Sequence, residues 1–448
     1  YKFYGRLLLR RVTYPGGVPA ISNNISLTVP STVQPLWAEH QGVVDDPVWL
    51  DDRLYSATIR TNKLTGVTSL WTAHNIQVNP SGVADDFGAR DGARWYQIGN
   101  LTGTPTLLQA GTLFDPTIDQ PRFFYMPSIT QSGQGHAVLG FSTSGFSFYI
   151  DGGFVGRLSS DPLGSMGPLT LLTASATPYN FFGGTGTYEP WGDYSETLVD
   201  PNDDMTFWTL QEYCDDYNSW GVWVAQIKAP PPTTPTTVSP ASLCPGVASA
   251  QVTVTGVSQA GSGFFDPGPD TGGPGFLNHI GGSVTGGVTV STALFDSPTQ
   301  VRLNLSTISA SSGIQDITIT NPDGQSATGS GLLTILSRPA QPAAGNNGPI
   351  CQGATLQLTS SSIPGATYHW NGPGGFTSNQ QNPSVAGATP AQSGVYSVTV
   401  TAPGGCESLA GTTLVSIGAD GDGDAHCGGN DCNDANPLVW LLPAEVIN

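Results

Sequence analysis

The run Asp420-Gly-Asp422-Gly-Asp424-Ala-His-Cys-Gly-Gly-Asn-Asp431-Cys-Asn-Asp434 carries the sharpest chemistry in the chain. Carboxylates at its first, third and fifth positions put hard oxygen donors on one concave turn, and the glycines between them let the backbone curl around an ion. Carboxylates this close repel one another unless a cation sits among them. Counting on, His426 stands seventh, where a main-chain carbonyl could serve, and Asp431 twelfth. Ala425 and Asp431 occupy the places where a helix-flanked calcium loop carries glycine and a bidentate glutamate. The spacing therefore points to a calcium site of another kind. Its role would be structural, because a shell filled by hard ligands leaves no open position for catalysis.

This tail resembles the calcium repeats of thrombospondin type 3 and of bacterial surface proteins, in which DxDxD is followed by DCxD. The resemblance implies that Asp420, Asp422, Asp424, Asp431 and Asp434 are the ligands.

A second cluster lies in Trp191 to Cys214, WGDYSETLVDPNDDMTFWTLQEYC. Asp193, Glu196 and Glu212, with Tyr194 and Tyr213, are the residue types that glycosidases use as paired carboxylates or as a nucleophile. The same groups serve equally as acceptors for turns between strands. A sialidase would need repeated S-x-D-x-G-x-T-W boxes and a triad of arginines. No such box occurs, and nothing in the spacing of Arg90, Arg94, Arg122 and Arg157 brings them together. His40, His74 and His136 recur in strand contexts, where they either point at a shared channel or pack between sheets. No G-x-S-x-G elbow and no phosphate-binding glycine loop follows a strand. Trp191, Trp220 and Trp223 are either a glycan-stacking surface or core. Asn24, Asn100 and Asn304 stand in N-x-S/T sequons, a pattern too frequent by chance to carry weight.

These residues must be positioned by strands. Gly 58 and Pro 36 in 448 residues, without a collagen period, and only 10% charged residues give the balance of an all-β extracellular protein. With 10 Trp, 14 Tyr and 17 Phe the chain has ample material for cores. The net charge is −19 and Lys occurs only at positions 2, 63 and 228, so no basic stripe offers phosphate contacts and nucleic acid is an unsuitable partner. No apolar run is long enough to span a bilayer. The chain starts at Tyr1 in strand-like sequence, as a mature or truncated piece of something longer would. Six cysteines, with no CxxC pattern, predict disulfides in an oxidising compartment. By position Cys351 pairs with Cys406 and Cys427 with Cys432, which leaves Cys214 for Cys244.

Residues 1–228 read as short strands in three groups. The first comprises 53–60, 68–78, 93–101 and 105–114; the second 122–131, 135–144, 155–159 and 169–176. The third is a meander over 194–199, 205–211 and 220–227 around the turn Asp200-Pro201-Asn202-Asp203-Asp204. Groups of about four strands recurring at roughly 70 residues predict propeller blades, or else a sandwich. The segment resembles bacterial secreted proteins whose β-propeller ends in WGDYS…DP…D…W…EY, matched by Trp191 to Ser195, Asp200, Pro201, Asp204, Trp208, Glu212 and Tyr213. That resemblance covers about half of the chain and implies a fold more than an activity.

Residues 229–240, APPPTTPTTVSP, predict a semi-rigid polyproline linker that holds the next module at a distance. Residues 241–338 alternate strands and turns, and ITITNPDGQSA resembles immunoglobulin-like modules of the TIG kind. Their insert 261–276 is too long for a hairpin loop and is expected to be a surface decoration. Residues 339–418 resemble PKD or immunoglobulin-like repeats, with Trp370 in the core, and 419–448 form the acidic tail.

The expectation is thus an all-β protein: a propeller-like domain, whole or partial, then two immunoglobulin-like sandwiches and a calcium-binding tail. A non-catalytic adhesion or structural role at a bacterial surface or appendage follows, with further copies or other surface proteins as partners. A secreted carbohydrate-active hydrolase, or a glycan-binding protein using the first domain, is the alternative.

Overall fold

The computed structural model describes residues 3–48, 50–181, 189–259, 261–269 and 273–419. Among these, every regular element is a strand except three single turns of 3-10 helix, so the chain is all-β. The tail aspartates Asp420, Asp422, Asp424, Asp431 and Asp434, and Cys427 and Cys432, lie outside the described residues.

The chain begins with a thin layer. Strand β1 (Tyr4–Leu9) pairs with β4 (Ile25–Thr32), and between them β2 (Val12–Thr13) and β3 (Ala20–Ile21) make a small hairpin. A second hairpin follows, β5 (Ala38–His40) and β6 (Val43–Val48). Three antiparallel meanders come next. The first is β7 (Ser56–Asn62), β8 (Val67–Val78), β9 (Arg90–Gly99) and β10 (Thr106–Leu113). The second is β11 (Phe123–Gln131), β12 (Ala137–Gly145), β13 (Phe148–Arg157) and β14 (Thr170–Leu171). The third is β15 (Glu196–Val199), β16 (Phe207–Asp216) and β17 (Ser219–Ile227).

The meanders stack face on face because both faces of the inner ones are apolar or small. On β9, Ala93 and Trp95 face the second meander, where Trp71 and Trp95 stack 5.8 Å apart beside Phe124, Leu139 and Phe141. Tyr96 and Ile98 face the other way, onto Leu27 and Val29 of the N-terminal layer. Burial on both sides is why β9 reads ARWYQIG and not as strict alternation. Between the second and third meanders the contact is a polar ladder. The Ser195 and Ser128 hydroxyls share a hydrogen bond of 2.8 Å, as do those of Ser128 and Thr197 and, in turn, of Thr197 and Thr209. Gly140 makes this approach possible: a Cβ there would lie 2.2 Å from Gln211 Nε2 and 2.4 Å from Thr209 Oγ1.

Asp91, at the start of β9, is fully buried. Its Oδ1 accepts from Leu36 N at 2.9 Å while Oδ2 has no hydrogen-bond partner, and burial pushes the carboxyl well above its ordinary range. The folded chain therefore keeps this proton to a higher pH than the unfolded chain does, and its contribution falls as pH rises above about 4. Asp91→Asn should gain stability relative to the wild type at pH 7, and denaturant titration should show the gain vanishing near pH 4.

The second module is a sandwich whose strand order identifies it. It comprises β18 (Pro235–Ser239), β19 (Ser242–Leu243), β20 (Ala250–Gly256), β21 (Gly281–Val284), β22 (Thr289–Ser297), β23 (Gln300–Ser306), β24 (Gly313–Thr320) and β25 (Ser326–Ile335). One sheet runs β18-β20-β23-β22 and the other β19-β25-β24-β21, with β19 parallel to β25. Lettered in chain order these are the ABED and CFG sheets of an immunoglobulin constant-type domain, with the first strand switching sheets halfway. Val252, Val254, Val301 and Leu303 from one sheet meet Ile317, Ile319, Leu333 and Ile335 from the other.

The third module repeats the plan with β26 (Ala344–Asn346), β27 (Ile350–Cys351), β28 (Leu356–Ser360), β29 (Thr367–Gly372), β30 (Phe376–Ser378), β31 (Ser384–Val385), β32 (Gly394–Thr401), β33 (Gly411–Val415) and β34 (Ile417–Gly418). Its sheets are β26-β28-β31 and β30-β29-β32-β33, and β27 runs parallel to β34. Trp370 on β29 is fully buried against Tyr396, and its indole NH donates to Gln381 O at 3.2 Å.

Several expectations change. Cys244 bonds to Cys406, with Cα atoms 5.4 Å apart, so the bridge joins the two sandwiches instead of closing either one. Cys351 ends β27 beside Gly418, at the opposite end of the last strands from the turn that holds Cys406, so the two cannot meet. Cys351 has its own disulfide. Cys214, assigned to Cys244 by elimination, is a free thiol buried in the first module, donating to Asp216 O at 3.1 Å. The Pro/Thr segment is not a spacer throughout, because Pro235–Ser239 is itself strand β18. What precedes it is pinned: Lys228 Nζ donates to Asp323 O at 2.5 Å and Gln325 Nε2 to Ala229 O at 2.8 Å. The insert 261–276 is no decoration. Phe264 enters the sandwich core, and Phe265, held by Asn321 Oδ1 at 3.1 Å, packs toward Gly133 of the first module.

Candidate functional site

The acidic motif Trp191 to Ser195 sits at the mouth of a cleft of about 290 Å³, bounded by Asp51, Arg53, Tyr55, Met126 and Pro190 to Asp193. The stacked meanders fix its walls. Trp191 is anchored in the core, edge-on to Tyr179 with ring centres 5.1 Å apart. Ser195 is spent on structure, its hydroxyl donating to Met126 O at 2.6 Å. Between those anchors Gly192 and Asp193 pass over β16, where Glu212 points outward. Gly192 is required by proximity, since a Cβ would fall 1.7 Å from Glu212 Oε2.

The electrostatics are set by one cation among carboxylates. Arg53 Nε donates to Asp51 Oδ2 at 2.5 Å, its Nη2 lies 3.6 Å from Asp193, and its guanidinium stands 5.9 Å from the rings of both Tyr55 and Tyr194. Burial raises the Glu212 carboxyl above its usual range, and the Asp193 charge adds to this. Burial raises Glu196 as well. Tyr55 donates to Asp51 O at 3.2 Å and accepts from Asn75 at 2.9 Å, and its burial pushes the phenol strongly up. The arrangement offers a carboxyl biased toward its protonated form, a charged carboxylate, a fixed guanidinium and two tyrosine edges. That set suits hydrogen bonding to a polyol or an amide.

Gly192→Ala tests how the cleft is built. The far end of Glu212 can swing away, so stability should change by less than about 1 kcal/mol. The Glu212 carboxyl, driven toward solvent, should titrate nearer its ordinary value in a carbon-detected NMR titration.

Of the other residues singled out from sequence, Asp193, Tyr194 and Glu212 are brought together here and the rest are not. Tyr213 packs edge-on to Trp223 at 6.3 Å. Asp200 and Asp203 are turn acceptors: Asp200 takes Trp208 Nε1 at 3.0 Å, and Asp203 takes the Met205 and Thr206 amides at 2.8 and 2.9 Å. Asp204 pairs with Arg60. The four arginines do not converge, for Arg94 bonds Thr112, Arg157 bonds Asp161 O, Arg90 bonds Asp115 O and Arg122 lies over the Phe148 ring. His40, His74 and His136 are all buried, and the latter two are held by different neighbours. Trp191 is core, whereas Trp220 and Trp223 are exposed on β17. Sequence reasoning missed Asp51, Arg53 and Tyr55. The charge pair in DDRLY was the available signal, masked because the segment reads as the start of a strand.

No protein-family model matches the sequence, and no curated protein does. Among solved structures, murine CEACAM1b overlaps 41% of this chain and 99% of its own at 13% identity and a TM-score of 0.20. The first two Ig domains of DIP-gamma overlap 42% of this chain and 98% of their own at 12% identity and a TM-score of 0.20. The Yersinia pseudotuberculosis adhesin InvE overlaps 44% and 62% at 14% identity and a TM-score of 0.17. Overlays this loose carry no functional argument, and the immunoglobulin-like assignment rests on the strand order itself.

Proposed function

We propose that this chain is a non-catalytic extracellular structural or adhesion protein of a bacterial surface or appendage. In this reading two immunoglobulin-like sandwiches carry a propeller-like head domain made of the stacked meanders. The observation that supports it is the fastening of module to module. Lys228 and Gln325 bond across the first junction, and Asn278 N reaches Asn202 O at 2.9 Å. The Cys244–Cys406 bridge spans the second. Fastening of this kind removes hinges, which serves a spacer and does nothing for turnover. Calcium held by Asp420, Asp422, Asp424, Asp431 and Asp434 would stiffen the far end in the same way. Among the described residues no helix is long and apolar enough to cross a membrane.

The cleft at Asp193 and Glu212 favours one second reading, a glycan-active head. A panel of polysaccharides assayed for turnover, with Glu212→Gln as control, separates the two. No turnover by either protein, together with recovery of the chain on intact cells, is the expected result. Turnover abolished by Glu212→Gln would overturn the structural reading.

A further inference from the structure

The stack of the first module has two unfinished ends. Each inner meander is covered on both faces, yet the third has its outer face open. Pairing places Leu198, Leu210, Val222 and Val224 on that face, and alternation along β17 adds Trp220. Leu198, Trp220, Val222 and Val224 are between 46% and 58% exposed, and Glu196 and Glu212 stand among them. At the other end, β1 and β4 turn Tyr4, Arg6 and Leu8 outward. The β2–β3 hairpin beside them exposes Val12, Tyr14, Val18 and Ile21. Contiguous apolar surface of this kind marks a contact.

The charges of the two ends are opposite. Residues 3–32 contain three arginines, Arg6, Arg10 and Arg11, and no carboxylate. Arg10 and Arg11 donate to neutral oxygens, those of Asn24 and Leu101. Residues 191–227 contain eight carboxylates and no lysine or arginine. Asp203 and Asp204 are buried, Asp204 against Arg60, and Asp193 lies beside Arg53, which among the described residues leaves Glu196, Asp200, Glu212, Asp215 and Asp216 without a basic partner in an ion pair. In a chain of net charge −19, like ends would repel and unlike ends attract.

We propose that the chain assembles head to tail, the N-terminal layer of one copy covering the open face of the third meander of the next. The partner is a second copy of this chain. The contact is heterologous, so it propagates as an open filament unless its rotation closes a ring. Each added copy continues the face-on-face stacking seen within the module. The proposal rests on the structural reading above and names the surface through which it acts.

Sedimentation velocity on the full chain over a range of concentrations tests it, with two variants at exposed positions: Arg6→Glu combined with Leu8→Glu, and Val222→Glu combined with Val224→Glu. The wild type should form a concentration-dependent series that shrinks as salt is raised. Each variant, with unchanged circular dichroism, should be monomeric, its association weakened at least roughly tenfold. An equimolar mixture of the two should give a heterodimer and nothing larger, since each supplies the end the other lacks. A wild type that stays monomeric would overturn the proposal. So would a closed dimer that the β1 variant retains, because the open face would then pair with itself. A monomer that shows no glycan turnover and is recovered on cells would leave the structural reading standing. Turnover dependent on Glu212 would remove that reading whatever the state of assembly.

Discussion

Cys244→Ser is expected to lower the stability of the paired sandwiches by about 5 kcal/mol, the chain-entropy value for a bridge closing a loop of this length. The closed loop spans a sequence separation of 162. Its partner change Cys406→Ser should give the same loss, because both remove one bond. Calorimetry should show the shared transition of the two modules separating into two, since among the described residues little else crosses between them except packing such as that of Gly404 against Leu336, where a Cβ on the glycine would lie 3.7 Å from Leu336 Cδ1. A Cys351→Ser protein would not reproduce the split, because its bond lies elsewhere. Identical melting of Cys244→Ser and wild type would show that the sandwiches are joined by packing alone.

Acid should destabilise the first module through two histidines. His74 lies between Asp52 O and Tyr96 Oη, each at 3.0 Å, and His136 accepts from Ser159 N at 3.0 Å. Burial lowers each ring to about 4 from an ordinary 6.5. The unfolded chain therefore takes up these protons first as pH falls. The stabilisation is complete above about 6.5 and is lost progressively down to about 4, at close to 1.4 kcal/mol per pH unit for each ring. By pH 4.5 the two rings together should cost about 5 kcal/mol. Asp91 acts in the opposite sense over the same window, so the measurement is a difference. Denaturant unfolding at pH 7 and pH 4.5 should show a steeper acid loss in the wild type than in His74→Gln/His136→Gln. Equal losses would place the acid sensitivity elsewhere.

The strands of the meanders are legible because their turns and alternation are local. The expected segments 68–78, 93–101, 105–114 and 122–131 fall on β8, β9, β10 and β11 within a few residues. Strand β13 is longer than expected, beginning at Phe148 and not at 155, because Gly152 and Gly153 look like a break. They are glycine for a tertiary reason: a Cβ at Gly152 would lie 3.0 Å from Gln211, and one at Gly153 2.9 Å from Phe141. The insert failed for the converse reason. Its Phe264-Phe265 pair was a visible burial signal, outweighed by the surrounding glycines and prolines.

The cysteine pairing was out of reach. Proximity in sequence favours partners inside one sandwich, whereas the bond depends on how the ends of two sandwiches face each other. Half of the cleft was readable, since Asp193 and Glu212 come from one motif. Asp51 and Arg53 arrive from a segment about 140 residues earlier, brought there by stacking that no local pattern encodes.

The bridge between the sandwiches also sets how the molecule responds to tension. Pulled from its two ends, the chain cannot release the contour between Cys244 and Cys406, a separation of 162 residues, or about 550 Å at roughly 3.4 Å per residue. Within the two sandwiches only Pro235–Leu243 on one side and Gly411–Gly418 on the other remain free to peel. Under load the two sandwiches would yield a short extension and then stop, so this stretch of the chain behaves as an inextensible strap, while the first module, whose Cys214 is a free thiol, has no such clamp.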